Sequence, residues 1–306
     1  MSEGFRIGVD LGGTKIEAAA IDRDGRIHRR QRIATPAGDY AGTIAAITSL
    51  VQRIEAELAS RMTVGIGIPG TLVARTGLVK NANSTWLIDR PLGHDLGAAL
   101  ARPVRLANDA NCFALSEASD GAAAGYRSVF GVILGTGVGG GVVIDGRIVV
   151  GVNAIAGEWG HNPLPSPRPD ELPGARCYCG RSGCIETFLS GPGLAADHRR
   201  HDGMALSGQE IVARAVAGDA ACRATLDRYA ERLARALGSV INILDPEAIV
   251  LGGGLSTIAE LYEVVPRLWG EFIFSDEVAT KLLPPMHGDS SGVRGAAWLW
   301  RPDEAP

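Results

Sequence analysis

Residues 5–15 read FRIGVDLGGTK: an apolar run ends in an acid, then turns through two glycines to a threonine and a lysine. A short apolar run rich in β-branched residues is the pattern of a buried strand. Gly12 and Gly13 let the backbone turn tightly, and their amides can face an anion. Asp10 stands at the end of that strand, where a carboxylate can hold a hydrated divalent cation. The stretch therefore predicts a phosphate-binding turn with its own metal acid.

The residues beyond Lys15 decide which kind of turn it is. A Walker loop requires Gly-x-x-x-x-Gly-Lys-Ser/Thr, and a dinucleotide fingerprint requires Gly-x-Gly-x-x-Gly opening a helix. Neither is present here. Residues 16–21 stay apolar, Asp24-Gly25 supplies a hairpin turn, and residues 26–33 read as another strand. The glycines join strand to strand, which excludes the two commonest nucleotide folds.

The arrangement recurs. GVILGTG at 131–137 parallels GVDLGGT at 8–14 with a constant offset of 123 residues, and an apolar strand and a turn come after each. Repetition at this scale predicts two related domains, each presenting a glycine hairpin. Ile133 stands where the first copy has Asp10, so only the first copy offers a metal acid.

At 306 residues the chain is long enough for two domains. It is 46% hydrophobic and 21% charged, as soluble globular proteins are. A net charge of −4 gives no electrostatic case for nucleic acid or membrane binding. No stretch has the length of a membrane span or the pattern of a signal peptide. Five cysteines, three of them clustered, fit a reducing compartment with a metal site, so a cytoplasmic location is expected.

Residues 39–60 show helical spacing and 63–68 a strand ending in Pro69-Gly70. The polar loop KNANSTW, 80–86, either grips a sugar with amides and a ring or is a surface loop anchored by Trp86. Residues 104–107 form a short strand, and Asn108-Asp109 comes after it at the start of an Ala-rich helix. Either residue could be a simple N-cap. Asp109 is also the only base so placed, and a carboxylate within reach can take the proton of a sugar hydroxyl. The first domain is expected to cover 1–118 and the second 119–289, with a C-terminal helix in 290–306 returning to the first.

Residues 177–186 read CYCGRSGCIE. Cys177, Cys179 and Cys184 form a knuckle that can place three thiolates around one tetrahedral ion, and His161 is the natural fourth ligand. The spacing predicts a closed, structural Cys3His zinc site, the alternative being free thiols in a loop. Zinc on one imidazole nitrogen would leave the other to face the pocket. Gly252-Gly253-Gly254 after a strand at 248–251 leaves room for a flat base or ribose against the backbone.

Together these elements resemble the ROK family of bacterial sugar kinases, which has the two-domain actin/hexokinase-like (RNase H-like) α/β ATPase fold with an interdomain cleft. The resemblance runs from Asp10-Leu-Gly-Gly-Thr-Lys15 to His287-Gly-Asp-Ser-Ser-Gly-Val-Arg-Gly-Ala-Ala296, with Glu158-x-Gly-His161 and Cys177-x-Cys179-Gly-x-x-Gly-Cys184-x-Glu186 as its particular marks. It implies that Asp109 is the base for the sugar's 6-hydroxyl. Asn83, Asn108, Glu158, His161 and Glu186 would hold the sugar. Gly12, Gly13, Thr14 and Lys15 would cradle the phosphates of ATP from one side and Gly135, Thr136 and Gly137 from the other. Gly253 and Gly254 would flank the adenosine, and Asp10 would organise Mg²⁺ through water. The stretches 81–86 and 158–165 look most like the fructokinase/mannokinase branch, so fructose is the expected sugar, with mannose and glucose slower. N-acetylglucosamine kinases and glucokinases are the near alternatives. A homodimer is also implied. The family's sugar-responsive repressors carry a helix-turn-helix ahead of the kinase-like part, and a first strand near Phe5 argues against that class.

Overall fold

The computed structural model describes residues 4–304, the side chain of Asp289 excepted. Strand β1 (Arg6–Leu11) turns through the two glycines into β2 (Lys15–Ile21), which pairs antiparallel with it. A second turn, with Gly25 at φ +78°, leads to β3 (Ile27–Ala34). Helix α1 (Tyr40–Leu58) starts where the Asp39 carboxylate accepts the Gly42 N–H at 2.9 Å, and it buries Ile47, Leu50, Val51 and Ile54. Then come β4 (Thr63–Ile68), the short antiparallel pair β5 (Thr71–Leu72) and β6 (Val79–Lys80), α2 (Leu92–Leu100), β7 (Val104–Asn108) and α3 (Asp109–Ser119). The sheet order is β3-β2-β1-β4-β7, with β4 parallel to both β1 and β7.

The second half of the chain contributes β8 (Ser128–Leu134), β9 (Val138–Ile144), β10 (Arg147–Ile148), α4 (Glu186–Leu189), α5 (Gly191–Asp202), α6 (Gly208–Val216), α7 (Ala220–Leu244), β11 (Ala248–Gly252), α8 (Leu261–Leu268), β12 (Lys281–Leu283) and α9 (Ser291–Trp298). Its sheet order is β10-β9-β8-β11-β12, with β11 parallel to β8 and β12. Strand for strand this is the order of the first sheet. The offset of 123 residues therefore carries one topology twice.

The chain groups into two compact units. The first runs to Gly125, takes in Gly141–Ala156, and resumes at Met286; the second comprises Tyr126–Gly140 and Gly157–Pro285. The boundaries expected at 118 and 289 lie near those at 125 and 285, and the unexpected part is 141–156, which joins the first unit; side chains bonding to distant backbone account for it. Thr71 Oγ1 donates to Ala154 O (3.2 Å) and Lys80 Nζ to Asn153 O (2.9 Å), holding 141–156 to the first unit. The Glu117 carboxylate accepts the N–H groups of Ala122 (2.9 Å), Met286 (3.0 Å) and His287 (3.3 Å) and the Ser291 hydroxyl (2.9 Å).

Within the first unit α9 lies close against β1, β4 and α3, and glycine makes that possible. A Cβ on Gly8 would stand 1.8 Å from Val293 O, and one on Gly295 would stand 1.7 Å from Cys112 O. Neither backbone partner can swing aside as a flexible side chain would, so Gly295→Ala must force the two helices apart. It is expected to cost about 3 kcal/mol or more, read as a lowered urea midpoint. An unchanged midpoint would show that α9 is loosely held.

In the second unit a buried ionic network fixes the proline-rich segment 163–173 to α7. Glu171, 2% exposed, accepts from Arg232 Nε at 2.7 Å and from Arg235 through both carboxylate oxygens, at 2.6 and 2.9 Å. Arg232 also reaches Asp197 at 2.7 Å, and Arg235 donates to Ser166 O at 2.7 Å. Against its own burial, hydrogen bonds from the two guanidiniums bring the Glu171 carboxyl down to about 2.

Candidate active site

In the first unit, the β1–β2 turn is closed by Gly12 N–H donating to Lys15 O at 2.9 Å and braced by Thr35. The Thr35 hydroxyl donates to Gly12 O (2.8 Å) and its N–H to Thr14 O (3.0 Å). Gly13, Thr14 and Lys15 are left exposed. Asp10, next to last in β1, has its carboxylate against the start of α9, where a Cβ on Gly292 would come 3.1 Å from Oδ2. Burial, aided by the charges of Asp109 and Glu17, pushes the Asp10 carboxyl up to about 6. One carboxylate held mostly by protein fits the sparse protein ligation of a magnesium ion that keeps most of its water.

Asp109 opens α3 at the end of β7. Its Oδ1 accepts the Ala110 N–H at 2.8 Å, and Asn108 Oδ1 shares the same donor at 2.9 Å. Asn108 is the N-cap, and its Nδ2 donates to Gly70 O at 3.2 Å. Both ends of the amide that was expected to hold sugar therefore have backbone partners. Asp109 itself is reached by solvent, yet the surrounding protein raises its carboxyl above the usual range, with hydrogen bonds from Ala110 and Asn108 opposing. The thiol of Cys112, one turn on, is fully buried and pushed up by burial and by the charges of Asp10 and Asp109. Asn83 is exposed between buried Ala82 and Ser84. Trp86 proves to be an anchor: its ring packs on the core and Nε1 donates to Thr43 Oγ1 at 3.2 Å.

In the second unit the turn between β8 and β9 is closed by Gly135 N–H donating to Gly137 O at 3.0 Å. Gly191 N–H, at the start of α5, donates to Gly135 O at 2.8 Å. Gly253, at φ +79°, lies so near that a Cβ would stand 2.5 Å from Leu134 O. Gly253 and Gly254 are exposed, and Gly254 begins a short 3-10 turn, Gly254–Thr257. Glu158 precedes the turn Trp159–His161, and His161 is its last residue. The Trp159 indole donates to Gly139 O (3.0 Å) and meets the Phe130 ring edge-on at 5.7 Å. A Cβ on Gly160 would be 2.1 Å from Val138 O, so the turn sits directly on β9.

His161, Cys177, Cys179 and Cys184 converge, with one ligand atom from each lying within 4.8 Å of all the others. Cys177 Sγ is 3.5 Å from His161 Nδ1 and Cys179 Sγ is 3.6 Å from Cys184 Sγ. A tetrahedral zinc with bonds of about 2.0–2.3 Å requires ligand separations of this order. The donor set fits zinc. With Nδ1 turned to the thiols, the ring proton belongs on Nε2, which lies 2.9 Å from Tyr178 Oη. The second nitrogen, expected to face the pocket, lies beside the hydroxyl of the knuckle's own tyrosine.

Glu186, the first residue of α4, accepts the Val138 N–H on Oε2 at 3.0 Å, and its Oε1 is 3.9 Å from Cys177 Sγ. This bond and the Gly191 bond to the hairpin were invisible in the sequence. The only signal for the latter is Ser190 ahead of Gly-Pro-Gly, an N-cap with proline at the second helical position.

A glycine turn between two strands, a buried acid beside it and a carboxylate at a strand-to-helix junction, on a duplicated five-strand topology, are features of an actin/hexokinase-like α/β protein. The model of the ROK family matches residues 6–303, and the chain belongs to that family. It is 40% identical to N-acetyl-D-glucosamine kinase of Pectobacterium atrosepticum, over 95% of this chain and 97% of the relative. Among solved structures, the ROK hexokinase of Thermus thermophilus superposes with a TM-score of 0.85 at 32% identity, covering 96% and 97% of the two chains. The ROK family glucokinase of Streptomyces griseus, in complex with glucose and AMPPNP, gives 0.77 at 29% identity, with 97% and 99% covered. Among the described residues no helix is long and apolar enough to cross a membrane.

Proposed function

We propose that the protein is an ATP-dependent kinase acting on the 6-hydroxyl of N-acetylglucosamine. The observation that carries the kinase reading is Asp109: a solvent-reached carboxylate at the β7–α3 junction, its pKa raised, in the same electrostatic neighbourhood as Asp10. A carboxyl whose proton affinity is raised is the better general base for a hydroxyl. In the first unit Gly13, Thr14 and Lys15 would offer backbone N–H groups and a cation to phosphate; in the second, Thr136 and Gly137 would offer backbone N–H groups, and Gly253 and Gly254 an open face for the adenosine. Phosphoryl transfer asks chiefly for alignment and charge neutralisation. Magnesium, held at Asp10 through water, would neutralise phosphate charge. Zinc, held by His161, Cys177, Cys179 and Cys184, would fix the segment that carries Glu158 and Glu186, and Asn83, Glu158 and Glu186 would bind the sugar's hydroxyls.

The sugar is inferred from the relatives. Fructose was expected from the 81–86 and 158–165 stretches, but relatives 40% identical along nearly the whole chain are N-acetyl-D-glucosamine kinases, in Pectobacterium and Photobacterium alike. ATP-dependent phosphorylation of N-acetylglucosamine, glucose, mannose and fructose, assayed side by side, tests this. N-acetylglucosamine is expected to lead in kcat/KM by about tenfold or more over glucose, the scale on which one added group is discriminated. Fructose as the best substrate would return the chain to the fructokinase branch, and phosphorylation of none would end the kinase reading.

A further inference from the structure

The bond between Glu186 and Val138 joins two parts of the molecule that the proposed function treats separately. Glu186 lies two residues past Cys184 in the knuckle, whereas Val138 is the first residue of β9, directly after the hairpin Gly135-Thr136-Gly137. The carboxylate also fills the space beside Gly137, where a Cβ would stand 2.7 Å from Oε2. The hairpin is held again a few residues on, at the start of α5. Ser190 Oγ caps α5 by accepting the Gly193 N–H at 3.1 Å, and the Gly191 N–H bonds Gly135 O at 2.8 Å. Glu186 thus brings a charged acceptor to the backbone where the hairpin enters β9.

We propose that Glu186 is a positioning residue for the nucleotide's phosphates: through Oε2 it sets the 135–137 hairpin, so that the knuckle fixes the phosphate turn as well as the sugar loop. This rests on the reading of that hairpin as a phosphate cradle. Two consequences separate it from a role confined to sugar binding. A hydrogen bond to a carboxylate is among the stronger ones, and losing it leaves the Val138 N–H without its partner. An amide oxygen can take the carboxylate's place at the same site, because only an acceptor is needed.

The experiment compares the parent, Glu186→Ala and Glu186→Gln by calorimetric titration with AMPPNP·Mg²⁺ and with N-acetylglucosamine, and by hydrogen exchange of the ligand-free proteins. Glu186→Ala is expected to weaken AMPPNP roughly tenfold or more and to speed amide exchange in residues 134–140 before any ligand is added. Glu186→Gln should restore both to near the parent values, even where its sugar affinity stays reduced. Zinc content should match the parent in both variants. Unchanged exchange at 134–140 in a folded Glu186→Ala protein would overturn the proposal, as would AMPPNP affinity equal to the parent's. A parent that binds no AMPPNP would instead overturn the kinase reading, and the exchange data would still decide whether Glu186 sets the hairpin.

Discussion

Asp109→Asn is expected to lower kcat by roughly 10²–10⁴, the range that a positioned general base contributes, while sugar and nucleotide affinity change little. The substitution keeps size and shape. An amide oxygen at Oδ1 still accepts the Ala110 N–H now bonded at 2.8 Å, and Asn108 still caps the helix. Stability should hold, because the carboxylate it removes sits where surrounding protein disfavours its charge. The neighbouring acid provides a second signature. Asp10 is raised to about 6 first by burial and next by the charge of Asp109, so neutralising Asp109 must lower it. In metal-free protein the Asp10 carboxyl carbon, tracked by NMR, should titrate at a lower pH in the variant than in the parent. A well-folded Asp109→Asn enzyme that turns over at the parent rate would remove Asp109 from the chemistry.

The parts of this site that could be read from the sequence are those where chemistry is local. Asp10-Leu-Gly-Gly-Thr-Lys15 carries strand, turn and acid in six residues, and the knuckle shows its ligands by spacing. The duplicated topology was legible because both copies keep the same apolar-glycine pattern at one offset. Helix α5 was not. Its buried face includes Asp197 and His198, each held by a polar partner, so no apolar period marks it, and it opens on Gly-Pro-Gly. Helix α8 was hidden by Pro266 within it. The bonds of Glu186 to Val138 and of Lys80 to Asn153 O join side chains to backbone, and almost any residue type can offer an N–H or a C=O. Such a contact leaves no trace in the identity of the residue whose backbone is bonded. The same limit hid the bonds of Asn108, whose amide meets Ala110 N–H and Gly70 O, both backbone, and keeps a second N–H and a second lone pair.

Removing the metal is expected to have the other large effect, and on folding rather than on one chemical step. Three thiols and an imidazole are drawn within 4.8 Å of one another, with Cys177 and Cys184 4% and 1% exposed. Without an ion nothing compensates the crowding of groups that bind metal as thiolates, and segments 157–164 and 175–186 are then joined mainly by backbone bonds such as Leu164 N–H to Gly183 O (2.9 Å) and Ile185 N–H to Asn162 O (2.8 Å). The protein as purified should hold one zinc per chain by elemental analysis. Chelation should lower Tm by about 10 °C or more, since each kcal/mol corresponds to some 2–4 °C for a domain of this size. Proteolysis of the stripped protein should begin within 157–186, whereas the first unit's own strands, which take no part in the cluster, should stay protected. Cys184→Ser should reproduce the effect without chelator, because a hydroxyl is a poor substitute for a zinc thiolate. Zinc added back should restore Tm and close the 157–186 segment in the parent and not in the variant. A metal-free preparation with the parent's Tm and proteolytic pattern would show that the four residues meet for packing alone, and the rigidity of Glu158 and Glu186 would then have to come from Trp159 on β9 and from the α4–α5 turn.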